Sequence, residues 1–360
     1  MTVTAPAPTR APRQRLSQNL TPNWFASVMG TGIVANAAAT LPLHNRGLTL
    51  FATVVWLAAS TWMVVLIAKT IVHWVKFNDV ARSHVLHPTM AHFYGAPPMA
   101  FLTVGTGTLL FGPPLIGVDL AVRIDWVLWI IGTVTGLVTA VLIPFLTFTR
   151  YEVKMDSAFA GWLMPVVPPM VSSATGALLI PHTPEGELRL LMLLGCYAMF
   201  GLSLFVSVVM ITMLWSRLAH HKIGAAAAVP TLWIVLGPLG QSITATNNLA
   251  NQAHLAVGEN LSAAFEAMGV LYGIPTLGFA LLWVGIAAAV TIHTIRKDMP
   301  FSLTWWSFTF PVGTVVTGIA GLAGHTGSHV LGVMSIIAYG FLVCAWMIVA
   351  VRTVRMHLGQ

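Results

Sequence analysis

The stretch TWWSFTFPVGT, residues Thr304–Thr314, sets four aromatic rings directly before a proline and a glycine. No charged residue occurs between Asp298 and Arg352, so the stretch lies in an apolar segment. Trp305 and Trp306 suit a membrane–water interface, where indole rings collect. Phe308 and Phe310 lie deeper, beside Pro311 and Gly313. Proline removes a backbone donor and glycine removes a side chain, so a helix is expected to break here. A membrane tolerates such a break only where it is buried in protein or lines a wet cavity. The rings therefore mark the interior of a membrane bundle.

The rest of the chain agrees with a membrane protein. Its 360 residues are 57% hydrophobic and 8% charged, with a mean hydropathy of +0.83. Soluble domains carry about 25% charged residues. The formal net charge of +7 comes without a basic face or basic amphipathic helix, so nucleic acid is not the expected partner. Cys196 and Cys344 fit no metal or disulfide pattern and are expected to be small core residues. Residues 1–20, polar, proline-rich and basic, are expected to form a retained, disordered cytoplasmic tail rather than a signal peptide. Residues 21–355 are expected to form a single domain.

Apolar segments at about 24–43, 48–75, 92–112, 125–148, 157–180, 188–215, 229–252, 262–295, 301–323 and 328–351 predict an all-α fold with ten transmembrane helices. With the N-terminus cytoplasmic, Arg10, Arg13, Arg15, Lys69, Lys76, Arg82, Arg150, Lys154, Arg217, Lys222, Arg296, Lys297, Arg352 and Arg355 fall on the inner side. Only Arg46, Arg123 and Arg189 fall outside. That asymmetry satisfies the positive-inside rule and predicts that both termini are cytoplasmic in the cell membrane.

The break at Pro311 recurs. The odd-numbered segments read VMGTGIVA (Gly30, Thr31, Gly32), GAPPMAFLTVGTG (Gly105, Thr106), MPVVPPMVSSATG (Pro168, Thr175), LGPLGQSITAT (Pro238, Gln241, Ser242, Thr244) and FTFPVGTVVTG (Pro311, Gly313, Thr314, Thr317). The threonines 31, 106, 175, 244 and 317 recur every 69 to 75 residues. This periodicity predicts five helical hairpins, each pairing a broken inner helix with a smoother outer one; Pro144 and Pro275 in outer segments are exceptions. The hydroxyls and freed backbone of the broken helices are expected to line a central pore.

Charges mark ion pathways within a bilayer, and here they are scarce. Lys69 is expected to snorkel to the interface. Glu266, near the outer start of the eighth segment, is either a first-turn carboxylate or a proton-coupling group. Without an acidic ring, anion passage is the better reading, ahead of neutral solutes and cations. No catalytic motif is present, so neither an enzyme nor a cofactor is expected. His84, His87, His92, His325 and His329 lack carboxylate or cysteine partners and are expected to be solvated in loops rather than to bind metal.

WFASVMGTGIVA, LGPLGQSIT and WWSFTFPVGT together resemble the tellurite-resistance/dicarboxylate transporter family. That family includes the plant slow anion channels, the fungal malate permease and the yeast sulfite efflux pump. The resemblance covers about residues 20 to 355. It implies a ten-helix, five-hairpin fold around a pore in each subunit of a homotrimer, and small anions as partners: chloride, nitrate, sulfite or a C4-dicarboxylate such as malate. It also implies that a phenylalanine of the ninth helix occludes the pore, a role that falls by motif position on Phe310, with Phe308 in reserve. The alternatives are a proton-coupled dicarboxylate carrier, a sulfite or tellurite-resistance efflux transporter, and a non-transporting sensor or scaffold.

Overall fold

The computed structural model describes residue 18, residues 20–43 and residues 45–358. Most of the expected tail, with Arg10, Arg13 and Arg15, therefore lies outside the described residues. Twelve α-helices occur among the described residues; besides the short Asn78–Leu86 and Pro113–Ile116 they are α1 Phe25–Thr40, α2 Arg46–Lys76, α3 Ala96–Phe111, α4 Val118–Thr149, α5 Pro168–Gly176, α6 Glu187–His221, α7 Leu236–Ala253, α8 Glu259–Ile295, α9 Phe310–Thr326 and α10 His329–Leu358. Seven helical segments among the described residues are long and apolar enough to cross a membrane: α2, α4, α6, α8, α10, and α7 and α9 with the turns that precede them. The chain is thus an all-helical, multi-pass integral membrane protein. At 16, 16 and 9 residues, α1, α3 and α5 fall short of the 20 or so that span a bilayer as α-helix alone.

The odd-numbered helices close a ring: α1 packs on α3, α3 on α5, α5 on α7, α7 on α9, and α9 back on α1. Each even-numbered helix packs outside, on the odd helix before it and on the next one round. The outer helices leave apolar side chains such as Val141, Phe205, Leu271 and Ile337 exposed. These surfaces suit lipid.

The expected breaks take one recurrent form. Each inner helix starts as a 3-10 segment and passes into α-helix: Pro22–Trp24 into α1, Met90–Gly95 into α3, Ala226–Val235 into α7 and Leu303–Phe308 into α9. Before α5 the 3-10 segment Ala160–Leu163 is followed by turns up to Val167. The prolines fall in the first α-turn after the change: Pro97 and Pro98 in α3, Pro168 and Pro169 in α5, Pro238 in α7, Pro311 in α9. First-turn N–H groups have no intrahelical partner, so proline sacrifices nothing there. In α4 and α8, by contrast, Pro144 and Pro275 sit inside continuous helices.

Ahead of α9, Thr309 breaks the helix with φ −108° and ψ −80°. Its hydroxyl donates to the Trp306 carbonyl at 2.6 Å, so the break keeps its polar groups satisfied. The starts of the inner helices meet at one level. A side chain at Gly95 would collide with Met164, one at Gly30 with Thr309 and Trp306, and one at Gly240 with Thr314 and Val315. The five helices therefore run in parallel from a common rim.

Candidate functional site

A cavity of about 120 Å³ lies inside the ring and takes lining residues from all five inner helices. α1 contributes Ile33 and Asn36, α3 Thr106, α5 Thr175, α7 Gln241, Thr244 and Asn248, and α9 Thr317. No charged side chain lines it. Thr106, Thr175, Gln241, Thr244 and Thr317, expected from the repeat, are brought together here.

Their hydroxyl protons are already committed. Thr106 donates to the Leu102 carbonyl at 3.0 Å and Thr175 to that of Val171 at 2.9 Å. The Thr244 and Thr317 hydroxyl oxygens are 2.6 Å apart, with the carbonyls of Gly240 and Thr314 each 3.0 Å from one of them. These threonines offer the cavity lone pairs and methyl groups, and a donor only after the hydroxyl rotates. The amides differ, because each NH₂ carries two protons. Asn36 spends one on the Thr103 carbonyl at 3.0 Å, and Asn248 one on that of Ala174 at 3.0 Å. Gln241 is buried, and its Oε1 has no partner. The amides thus carry the donors left free for a solute.

Several expected pore residues are placed elsewhere. Thr31 accepts the Trp346 indole N–H at 3.1 Å and faces a groove between α1, α2 and α10. Asn36, five residues on and so about 140° round the helix, takes the cavity position in α1. Gly30 abuts Trp306, Gly32 abuts Thr103, Gly105 abuts Asp125 of α4, and Gly313 abuts Ile33. All four face neighbouring helices, because close helix contact is the stronger demand for a missing side chain. Ser242 accepts the Tyr272 hydroxyl of α8 at 2.7 Å. Thr314 is buried between α9 and α7, with its hydroxyl 3.1 Å from the Leu236 carbonyl. Pro168 packs under Gly136 of α4.

Phe308 and Phe310 are both buried but differ in surroundings. Phe308 is held edge-on by Trp233 at 5.5 Å and Trp305 at 5.6 Å. Phe310 opens α9, seven residues and so two turns before Thr317. Two turns return a helix to nearly the same face, so Phe310 stands under the cavity-lining position, about 10 Å along the axis.

Glu266 is exposed on α8. The buried carboxyl that sequence reading passed over is Asp125 in α4, only 1% exposed, with no partner for its Oδ2. Its signal was an acidic residue inside an apolar run, hidden by placing the fourth span's edge at that residue. His87 and His329 are exposed, as expected, whereas His92 and His84 are drawn inward. His92 is buried between Trp162, stacked at 5.8 Å, and Phe159, edge-on at 5.9 Å. His84 stacks on His73 at 5.5 Å. Burial, then the imidazoles of His73 and His87, push the His84 pKa below its ordinary value. Their aromatic neighbours pull these rings out of water, as spacing alone could not show. No group of residues able to hold a metal ion occurs among the described residues. Cys196 is buried as expected, whereas Cys344 is exposed on α10.

Comparison with known proteins identifies the family. The family model described as voltage-dependent anion channel (SLAC1) matches residues 19–354. A sulfite efflux pump of Trichophyton rubrum is 27% identical over 93% of this chain and 90% of its own length. An uncharacterised transporter of Methanocaldococcus jannaschii is 27% identical over 83% of this chain and 82% of its own. A malic acid transport protein of Schizosaccharomyces pombe is 22% identical over 90% of this chain and 78% of its own. With nearly its whole length matched, the chain belongs to the voltage-dependent anion channel (SLAC1) family and is an anion transporter of the membrane.

Proposed function

We propose that anions cross the membrane along the axis of the inner ring, and that Phe310 closes this path. The observation that carries the reading is a single cavity lined by all five inner helices without a charged side chain. Fixed cations there would hold an anion too tightly to release it, whereas amide donors bind weakly and let it leave. The parallel inner helices also turn the positive ends of their dipoles to one rim. In this reading α1, α3 and α5 span together with the turns before them, giving ten spans as five inner–outer repeats. Both termini face the cytoplasm of a cell membrane, with the basic residues gathered on that side. Three copies assemble, each with its own path. Small anions are the cargo, whether sulfite, chloride, nitrate or a C4-dicarboxylate; the sulfite and malic acid transporters among the relatives support this class.

Phe310 fits a gate because it shares a helix face with Thr317, while Phe308 is pinned by two indoles. Proteoliposomes offered sulfite, chloride, nitrate and malate in turn test the reading. Phe310→Ala is expected to raise flux of the transported anion about tenfold, equivalent to about 1.4 kcal/mol on the barrier. Unchanged flux from folded Phe310→Ala protein would overturn the gate.

A second reading, a proton-coupled carrier, gains support from Asp125. An ionisable group inside a membrane helix is a proton-pathway candidate, and this one presses on Gly105, beside the cavity residue Thr106. Uptake that collapses with the pH gradient and in Asp125→Asn, but not in Glu266→Gln, would establish it. Uptake indifferent to both would leave the passive path.

A further inference from the structure

Thr31, expected in the pore, instead lines a groove of about 360 Å³ on the outer wall, between α1, α2 and α10. Four indoles form its walls: Trp24, Trp62, Trp306 and Trp346. Three of them spend their N–H groups on hydroxyls of the protein itself. Trp62 donates to Ser27 at 2.8 Å, Trp306 to Thr353 at 3.1 Å, and Trp346 to Thr31 at 3.1 Å. An occupant therefore meets ring carbon and methyl groups and needs to supply no hydrogen bond at depth. This excludes the transported anion and selects an aliphatic chain.

The surrounding charge selects the head group. No Asp or Glu occurs in residues 20–76 or 299–358, which supply every wall of the groove. Lys69 follows Trp62 by seven residues, two turns further along the same face of α2. Arg352, next in sequence to the wall residue Thr353, stacks on Trp305, the neighbour of the wall residue Trp306, at 4.8 Å. Because α2 and α10 both run towards the rim where α1 begins, these cations gather at the Trp24 end. Basic side chains beside an apolar slot attract anionic lipid. The open side of the groove, at Ala58 and Val354, is exposed, as are the apolar surfaces of the outer helices.

We propose that this groove binds one acyl chain of an anionic phospholipid from the leaflet at that rim, its phosphate held by Lys69. The site does not depend on the anion path, and binding can be read without any flux measurement. The test is native mass spectrometry of purified protein equilibrated with equal phosphatidylglycerol and phosphatidylcholine. Wild type is expected to retain one phosphatidylglycerol per protomer, at least tenfold over phosphatidylcholine. Ala58→Trp and Val354→Trp, two fillings that start from exposed positions, are expected to lower retention at least tenfold with thermal stability unchanged. Lys69→Gln is expected to keep a lipid but erase the preference. Undiminished retention in a folded filling variant would overturn the proposal. So would disulfide cross-linking of Ala58→Cys between protomers in the native membrane, which would show a second copy filling the groove.

Discussion

The inner ring and the outer wall solve opposite problems with the same alphabet. In the segment 226–253, which includes α7, the most apolar window has mean hydropathy 1.4 and is 83% buried; in α4 the figures are 2.2 and 22%. The less apolar helix is the hidden one, the reverse of a soluble bundle, because lipid solvates apolar side chains and rejects polar ones. Glycine follows burial rather than helix order. In the inner ring a Cβ at Gly30, Gly240 or Gly313 would collide with a neighbouring element, whereas at Gly278, Gly285 and Gly340 on outer helices it would meet nothing within 4 Å. Where an outer helix turns inward its glycines are also filled spaces: Gly136 of α4 meets Pro168 and Gly273 of α8 meets Leu322. Glycine permits contact between helices wherever a face is buried and is incidental where the face is open.

That division can be broken at graded strength. The largest effect is expected at the cavity itself. Gln241→Glu puts a fixed negative charge where an anion must pass, and like charges about 4 Å apart repel by about 4 kcal/mol at an effective dielectric of about 20. Flux in proteoliposomes should fall by roughly a thousandfold, with folding intact; flux near wild type would remove the cavity from the path. Next comes Gly240→Leu, which forces α7 away from the backbone of α9. A loss of about 3 kcal/mol is expected, seen as aggregation or a lowered unfolding temperature. Gly285→Ala in α8 is its control and should leave stability unchanged or raised by up to about 1 kcal/mol. Equal responses at the two glycines would erase the distinction between ring and wall. The smallest effect separates two threonines of one repeat. Thr317→Val removes a cavity hydroxyl and should lower flux up to about fivefold, near 1 kcal/mol. Thr31→Val should leave flux within about twofold, since its hydroxyl accepts from Trp346 in the groove and donates to the Ser27 carbonyl, away from the cavity.

Periodic composition made much of the cavity lining legible. Thr106, Thr175, Thr244 and Thr317 were legible as one set because the spacing of the breaks repeats, and the structure gathers all four on one cavity. Thr31 was assigned by the same rule and missed, since α1 carries no proline at its break to fix the phase. Asn36 stayed hidden for the same reason. Gly105 and Asp125 form one contact, yet neither predicts the other from chain position.

The sequence by itself determined that this chain lives in a membrane, that its odd segments break and that polar groups follow each break. Those are local properties, dictated by residue type and by the cost of bare backbone in lipid. Tertiary structure alone decided which face of each broken helix meets the axis. A rotation of about 100° per residue moves a side chain from cavity to groove without changing the pattern. The same packing pinned Phe308 between two indoles and left Phe310 on the face that Thr317 presents to the cavity.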